Sequence, residues 1–269
     1  MALEILFSDF FQRALAGGIL IGITAPLIGI FLVLRRLSMI GDTIAHVTIA
    51  GVALGFLIEV YPLGAGIVFA VLASFAIEKL RKAYKSYAEL SIAIIMSGGV
   101  ALASLFFTLG MGYNTDVMSY LFGSIYTLDA TDLYVVGGVT VVVVLVVTLF
   151  FKEFFLLSFE EEAASVSGLP VRLLNILITV LTALVVSTAI KIVGALLVSA
   201  LLTIPVAISL LLARSFKTSV ILSVIIAETA VVLGLMAAGI WNLAPGATIV
   251  LLLIVMLIIT MIGKKGLPN

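Results

Sequence analysis

Asp42 and His46 stand four residues apart in the stretch RRLSMIGDTIAHVTIAGVALG (35–55), and His46 is the only histidine of the chain. On a helix that spacing puts both side chains on one face, about 6 Å apart along the axis. A carboxylate oxygen and an imidazole nitrogen so placed can share a divalent first-row ion, since imidazole suits zinc and iron and carboxylate suits manganese. A plainer role is open to the same residues. Asp42 can act as an N-cap for the amides of Ile44 or Ala45, with His46 a hydrogen-bonded core residue. Met39, in the same segment, offers a soft sulfur, although Met more often serves as packing material.

A second acid, Glu228, falls near the middle of the apolar run 218–239. A carboxylate at membrane depth costs about 2.5–3.5 kcal/mol on insertion scales, so it must face protein or water and find a partner. It reads either as a pathway ligand or proton-handling group, or as a protonated glutamate that ties helices together. Lys191, between two apolar runs, reads as a lysine that snorkels to the outer interface. The polar stretch KEFFLLSFEEEAASVSGLPVR (152–172) holds a third cluster of acids. Ser158 followed by Glu161 has the spacing of a capping box. Gly168 and Pro170 supply a stop. Together they predict a short helix over about 159–167 that needs a surface to pack on, because two turns alone are marginal in water.

The elements that must position these groups are apolar helices. The 269 residues are 64% hydrophobic and 10% charged, with a mean hydropathy of +1.40. A soluble domain carries about a quarter charged residues, so this composition excludes one. Hydrophobic runs at about 14–34, 43–60, 62–78, 90–111, 132–151, 173–190, 192–212, 218–239 and 247–263 are the predicted spans. The fold class is therefore all-α, a polytopic membrane bundle of eight or nine spans, organised as one membrane domain over 1–269. Eight applies if 173–190 or 192–212 is partial; Gly194 and Pro205 bracket a stretch open to interruption. The long outer segment 112–131, with Asp116, Asp129 and several aromatics, is expected to be re-entrant or lid-like.

Twelve of the 14 basic residues, Arg35, Arg36, Lys79, Arg81, Lys82, Lys85, Lys152, Arg172, Arg214, Lys217, Lys264 and Lys265, fall in alternate loops. By the positive-inside rule those loops are cytoplasmic, with the N-terminus outside and the C-terminal KKGLPN inside. The opening MALEILFSDFFQ has no Lys or Arg before Arg13 and does not read as a cleavable signal. Zero net charge points to no nucleic-acid partner, and the absence of Cys excludes disulfides and thiolate ligands. Gly18-x-x-x-Gly22 and Gly51-x-x-x-Gly55 have the spacing of close helix packing. There is no nucleotide-binding loop, nucleophile elbow or H-E-x-x-H, so the chain is not read as an enzyme.

On four segments the sequence resembles the permease subunits of the zinc/manganese/iron ABC uptake transporters. They are Arg36, Ser38, Gly41, Asp42 and His46 within 35–55, then VMSYLFGSIYTLDATDLY (117–134), EEEAASVSGLP (160–170) and VGALLVSALLTIPVAISLLLARS (193–215). Where that family has an acid before its fourth span this chain has Glu89, and it lacks the family's Asp before Pro245-Gly246-Ala247. The resemblance implies a homodimeric permease in a prokaryotic cell membrane. It also implies two copies of a separate ATPase and an extracytoplasmic protein that delivers the ion. Transport would be by alternating access, with ATP bound on the partner and the metal, Zn2+, Mn2+ or Fe2+, as cargo rather than a permanent cofactor. Asp42 and His46 become the expected metal ligands, with Met39 and Glu228 as weaker candidates. The loop 152–172, with Glu160, Glu161, Ala163 and Gly168, becomes the expected ATPase-coupling element. The rivals are a proton-coupled secondary carrier using Glu228, and a non-transporting scaffold or sensor.

Overall fold

A computed structural model of the chain describes residues 8–84, 87–110 and 115–265. Lys85 and its neighbour at 86, the loop tip at 111–114 and both extreme ends of the sequence (1–7 and 266–269) lie outside the described residues.

Among the described residues the chain is helical, with no strand. The helices are α1 (Asp9–Leu34), α2 (Met39–Leu57), α3 (Pro62–Ala83), α4 (Ala88–Leu109), α5 (Thr115–Phe122) and α6 (Ala130–Leu149), then α7 (Phe151–Phe159), α8 (Glu161–Val166), α9 (Val171–Val193), α10 (Val198–Leu212), α11 (Phe216–Trp241) and α12 (Pro245–Lys265). Eight of them, α1 to α4, α6, α9, α11 and α12, are long and apolar enough to cross a membrane. The ninth predicted span is α10, only 15 residues long. At 1.5 Å per residue it reaches about 22 Å, short of a hydrocarbon core.

The chain nevertheless passes nine times between two ends. At one end the starts of α3 and α6 meet the end of α9, through Tyr61, Asp132 and Lys191. At the other, basic end the α1–α2 turn meets α8 and α9 through Arg35, Glu161 and Asn175. Because α9 finishes at the first end and α11 starts at the basic end, α10 must make the return. Its shortness is explained by what precedes it. α9 stops at Gly194, and the turn 194–197 is held by α5: Ala195 N–H donates to Tyr120 O at 2.9 Å and Leu196 N–H to Leu121 O at 3.3 Å. The segment 112–131 thus contributes a short helix docked into the break between α9 and α10. The interruption falls at Gly194 alone, and α10 runs straight through Pro205.

Both glycine pairs do what their spacing foretells. Gly51 brings α2 against α3, where a Cβ would sit 2.6 Å from Ala65 O, and Gly18 and Gly22 bring α1 against α11. Helices α9, α2 and α1 form the interior, whereas α4, α6 and α12 turn most of their apolar surface outward. The metal-candidate helix α2 is therefore a central element, packed by α3, α4, α9 and α10.

Candidate metal pathway and coupling elements

α2 begins at Met39, so Asp42 sits on the fourth residue of the helix rather than at its N-cap, which is Ser38. No side-chain cap bond is made there. The capping role open to Asp42 in the sequence is not the one it takes. Its carboxylate faces His46 across one turn, with Oδ2 4.0 Å from Nε2. That separation is too long for a hydrogen bond. Two ligands on one ion at ordinary N and O bond lengths stand about 3.3 Å apart, so a small side-chain rotation would close the pair on a cation. Both side chains keep roughly a quarter of their surface, 29% for Asp42 and 23% for His46, on a helix otherwise mostly buried. Asp42 opens into a cavity of about 440 Å³ that it shares with Val33, Ser38, Met39, and Ser199, Thr203 and Ala207 of α10.

Met39 thus lines the same cavity as Asp42 and is 56% exposed. Glu228 does not join them. It lies on α11 against α1, where its carboxylate fills the space beside Gly22 and its Oε1 is buried without a hydrogen-bond partner. Among the described residues no three His, Cys, Asp or Glu gather in a metal-holding group. Beside Met39, one copy of the chain offers one carboxylate and one imidazole at this place.

The 152–172 loop folds differently from its predicted capping box. Ser158 belongs to α7 and donates to Phe154 O at 2.7 Å. The chain breaks at Glu160, and α8 starts afresh at Glu161. Relieved of a capping duty, Glu161 reaches outward: Arg35 Nη2 donates to its Oε2 at 3.1 Å and Asn175 Nδ2 to its Oε1 at 3.0 Å. Glu160 lies exposed at the break, and Ala163 O accepts the Ser167 amide. Gly168 does end α8 with a left-handed φ of +79°, and Leu169 N–H closes the turn on Ala164 O at 3.1 Å.

Arg35 is the hinge of this arrangement. Its side chain is 5% exposed although it occupies a turn. Burial lowers the guanidinium pKa, the nearby Arg81 lowers it further, and Glu161 and Glu78 raise it. An arginine remains charged under such opposing influences. Beside it, Glu78 of α3 accepts from Arg81 Nη1 at 2.6 Å and from Thr179 Oγ1 of α9 at 3.0 Å. A short chain of polar contacts thus connects α8, the turn leading into α2, α3 and α9.

Sequence reasoning missed the polar centre at the opposite end. Lys191 does not snorkel. It is 8% exposed, and its Nζ pairs with the fully buried Asp132. Asp132 also accepts from Tyr61 OH and from Asp129 N–H, the latter at 2.9 Å. Burial, then the hydrogen bond to Asp132, push the Tyr61 phenol above its ordinary value. A signal was present: a lone Lys in one apolar run and an Asp-x-x-Asp start to another are mutually needed charges.

A family model described as the ABC 3 transport family matches residues 8–264. The manganese import system permease protein ScaB of Streptococcus gordonii is 34% identical over 90% of this chain and 87% of its own length. The high-affinity zinc uptake system membrane protein ZnuB of Haemophilus influenzae is 28% identical, over 97% of this chain and all of its own. Among solved structures, PsaBC from Streptococcus pneumoniae in complex with Fab superposes with a TM-score of 0.84 at 34% identity, covering 97% of this chain and 95% of that one. This chain belongs to the ABC 3 transport family, the metal-importer permease family that its sequence resembles.

Proposed function

We propose that the chain is the membrane permease of an ATP-driven importer for a divalent transition metal, and that Asp42 and His46 bind the ion during passage. The observation that supports this most is the pair itself: a carboxylate and an imidazole 4.0 Å apart, both partly exposed, with the carboxylate opening into a cavity. Two donors make a weak site. A second copy of the chain would bring two more across a two-fold axis, enough to hold an ion and few enough to release it. An Asp/His donor set serves manganese, zinc and iron alike, in keeping with relatives named for manganese and for zinc. Membership of the family favours this reading over the proton-coupled carrier built on Glu228, which nothing else in the molecule supports.

The partners are those the family resemblance implies: two copies of an ATPase docked at the basic end on 152–172, and an extracytoplasmic protein that delivers the ion. The basic end is the cytoplasmic one in this reading. The test is uptake of radiolabelled manganese, zinc and iron by the reconstituted importer carrying Asp42→Asn, His46→Ala or both. Groups of one site are non-additive, so each single and the double should abolish uptake to the same extent. Asn caps a helix as well as Asp does; retained uptake in a well-folded Asp42→Asn protein refutes the ligand role.

A further inference from the structure

At the basic end a groove of about 850 Å³ opens between the α6–α7 junction and the start of α11. Its walls include Leu149, Phe151, Phe155 and Phe216, and its polar groups are Lys152, Glu153, Ser215 and Lys217. The aromatic wall is continuous: Phe216 packs on Phe151 with ring centroids 5.4 Å apart and on Phe155 at 4.9 Å. α6 ends and α11 begins here, so the groove lies at the level where two membrane-spanning helices leave the hydrocarbon. Apolar side chains continue from it along both helices, Val141, Leu145 and Leu149 on α6 and Ile221 and Ile225 on α11, all more than half exposed.

Three features of the groove call for an occupant with two opposite charges. Among the described residues neither Lys152 nor Lys217 has an acidic partner. Ser215, the N-cap of α11, holds beside them a hydroxyl that accepts from the Thr218 amide and shares a hydrogen bond with Thr218 Oγ1, at a helix end whose dipole favours an anion. Against these, Glu153 Oε2 is buried and has no hydrogen-bond partner. An unpaired buried carboxylate oxygen is costly, and Lys152 beside it in sequence does not relieve it. A phosphate would satisfy the lysines and leave the glutamate orphaned. A primary ammonium would do the reverse.

We propose that this groove binds the headgroup of an aminophospholipid of the phosphatidylethanolamine type. The phosphate lies between Lys152, Lys217 and Ser215, the ammonium donates to Glu153, and one acyl chain runs over Leu149 along the exposed faces of α6 and α11. Basic pockets at the cytoplasmic ends of membrane helices are favoured lipid-headgroup sites. The half-buried Glu153 carboxylate adds the selectivity. A choline headgroup has no N–H to give it, and a glycerol headgroup has no positive charge. The inference does not depend on which ion is carried or on the role of Asp42.

The assembled importer, purified with its ATPase and exchanged into nanodiscs of phosphatidylethanolamine, phosphatidylcholine or phosphatidylglycerol, is analysed by native mass spectrometry for lipid that survives delipidation. The expected result is one ethanolamine lipid held per copy of the chain, with choline and glycerol lipids held about tenfold less, the loss that one charge-assisted hydrogen bond predicts. Glu153→Gln should erase the preference for ethanolamine while leaving phosphatidylglycerol retention unchanged. Lys152→Ala with Lys217→Ala should weaken all three. Lys152 and Glu153 belong to the 152–172 segment, so thermal stability and a monodisperse gel-filtration profile, rather than uptake, check that the variants fold. Equal retention of ethanolamine and glycerol lipids in the native protein, or a preference that survives Glu153→Gln, overturns the proposal. So does a groove shielded by the ATPase or by a second copy, seen as no retained lipid in the complex.

Discussion

Lys191 and Asp132, on the end of α9 and the start of α6, form an ion pair inside the bundle, with Asp132 fully buried and Lys191 nearly so. Removing one partner of such a pair leaves an uncompensated charge, at a cost of about 3–5 kcal/mol. Lys191→Met and Asp132→Asn should each lower the thermal unfolding temperature of the purified protein strongly. The double variant should recover much of the loss, because no unpaired charge remains, although Tyr61 OH and the Asp129 amide bind different oxygens of Asp132 and an amide can keep only one of those two bonds. Strictly additive losses would mean that the two charges do not depend on each other.

Gly123 and Gly194 hold α5 against the break in α9–α10, and each has positive φ, +78° and +89°. A Cβ on Gly123 would lie 2.1 Å from Ile192 O, and one on Gly194 would lie 2.4 Å from the carbonyl carbon of Phe122. Both contacts are with backbone and cannot be relieved by a side-chain turn. Gly168 also has positive φ, yet a Cβ there meets nothing within 4 Å. Gly168→Ala should therefore cost only the left-handed strain, about 1–2 kcal/mol, whereas Gly123→Ala and Gly194→Ala should fail to give stable protein. Comparable yields and melting temperatures for all three alanine variants would show that the α5 docking is looser than the structure has it.

The apolar helices are readable from the sequence because each is an apolar run with ends near those of the helix, but the choice between eight and nine passes stays open there and turns on the short α10. Asp42 and His46 are equally plain, since a single histidine four residues from an acid needs no tertiary knowledge. What eludes sequence reading is every pairing set by distance through the bundle. Ser158 and Glu161 satisfy a local capping rule, but Glu161 accepts instead from Arg35 and Asn175, partners that a local rule cannot see. Lys191 looks like an interfacial lysine until Asp132 is placed beside it. The double-glycine lock of α5 is invisible because its two halves lie 71 residues apart.

Orientation is open to direct test, because the chain has no native Cys. Val166 in α8 is 90% exposed at the basic end, and Leu243, between α11 and α12, is 50% exposed at the other. In intact cells a membrane-impermeant thiol reagent should label Leu243→Cys and spare Val166→Cys until the membrane is opened. This pattern follows from sorting twelve of the 14 basic residues to the Val166 end. Labelling of Val166→Cys alone would invert the topology.

The contact between Arg35 and Glu161 offers a route by which an ATPase docked on α8 could move the metal-candidate helix. Arg35 sits in the turn that leads into α2, four residues before Met39, and it is anchored to a residue of α8 that is itself tied to α9 by Asn175. A shift of α8 relative to α9 must therefore be felt at the base of α2. Glu161 is half-exposed, 49%, so its pair with Arg35 contributes only about 0–1 kcal/mol to stability. Glu161→Gln keeps the size and the oxygen that accepts from Asn175, and should leave folding and ATPase binding intact. It removes the charge that holds Arg35, and the expected outcome is a several-fold fall in metal ions carried per ATP hydrolysed. Arg35→Gln should show the same fall with a clear loss of stability as well, since it leaves Glu161 unanswered and a polar amide in a buried site. Measuring uptake and hydrolysis in the same proteoliposomes separates the two effects. An unchanged ratio in the Glu161→Gln protein would break the link between the loop and α2, and leave Glu161 as a fastener of α8 to α9 alone.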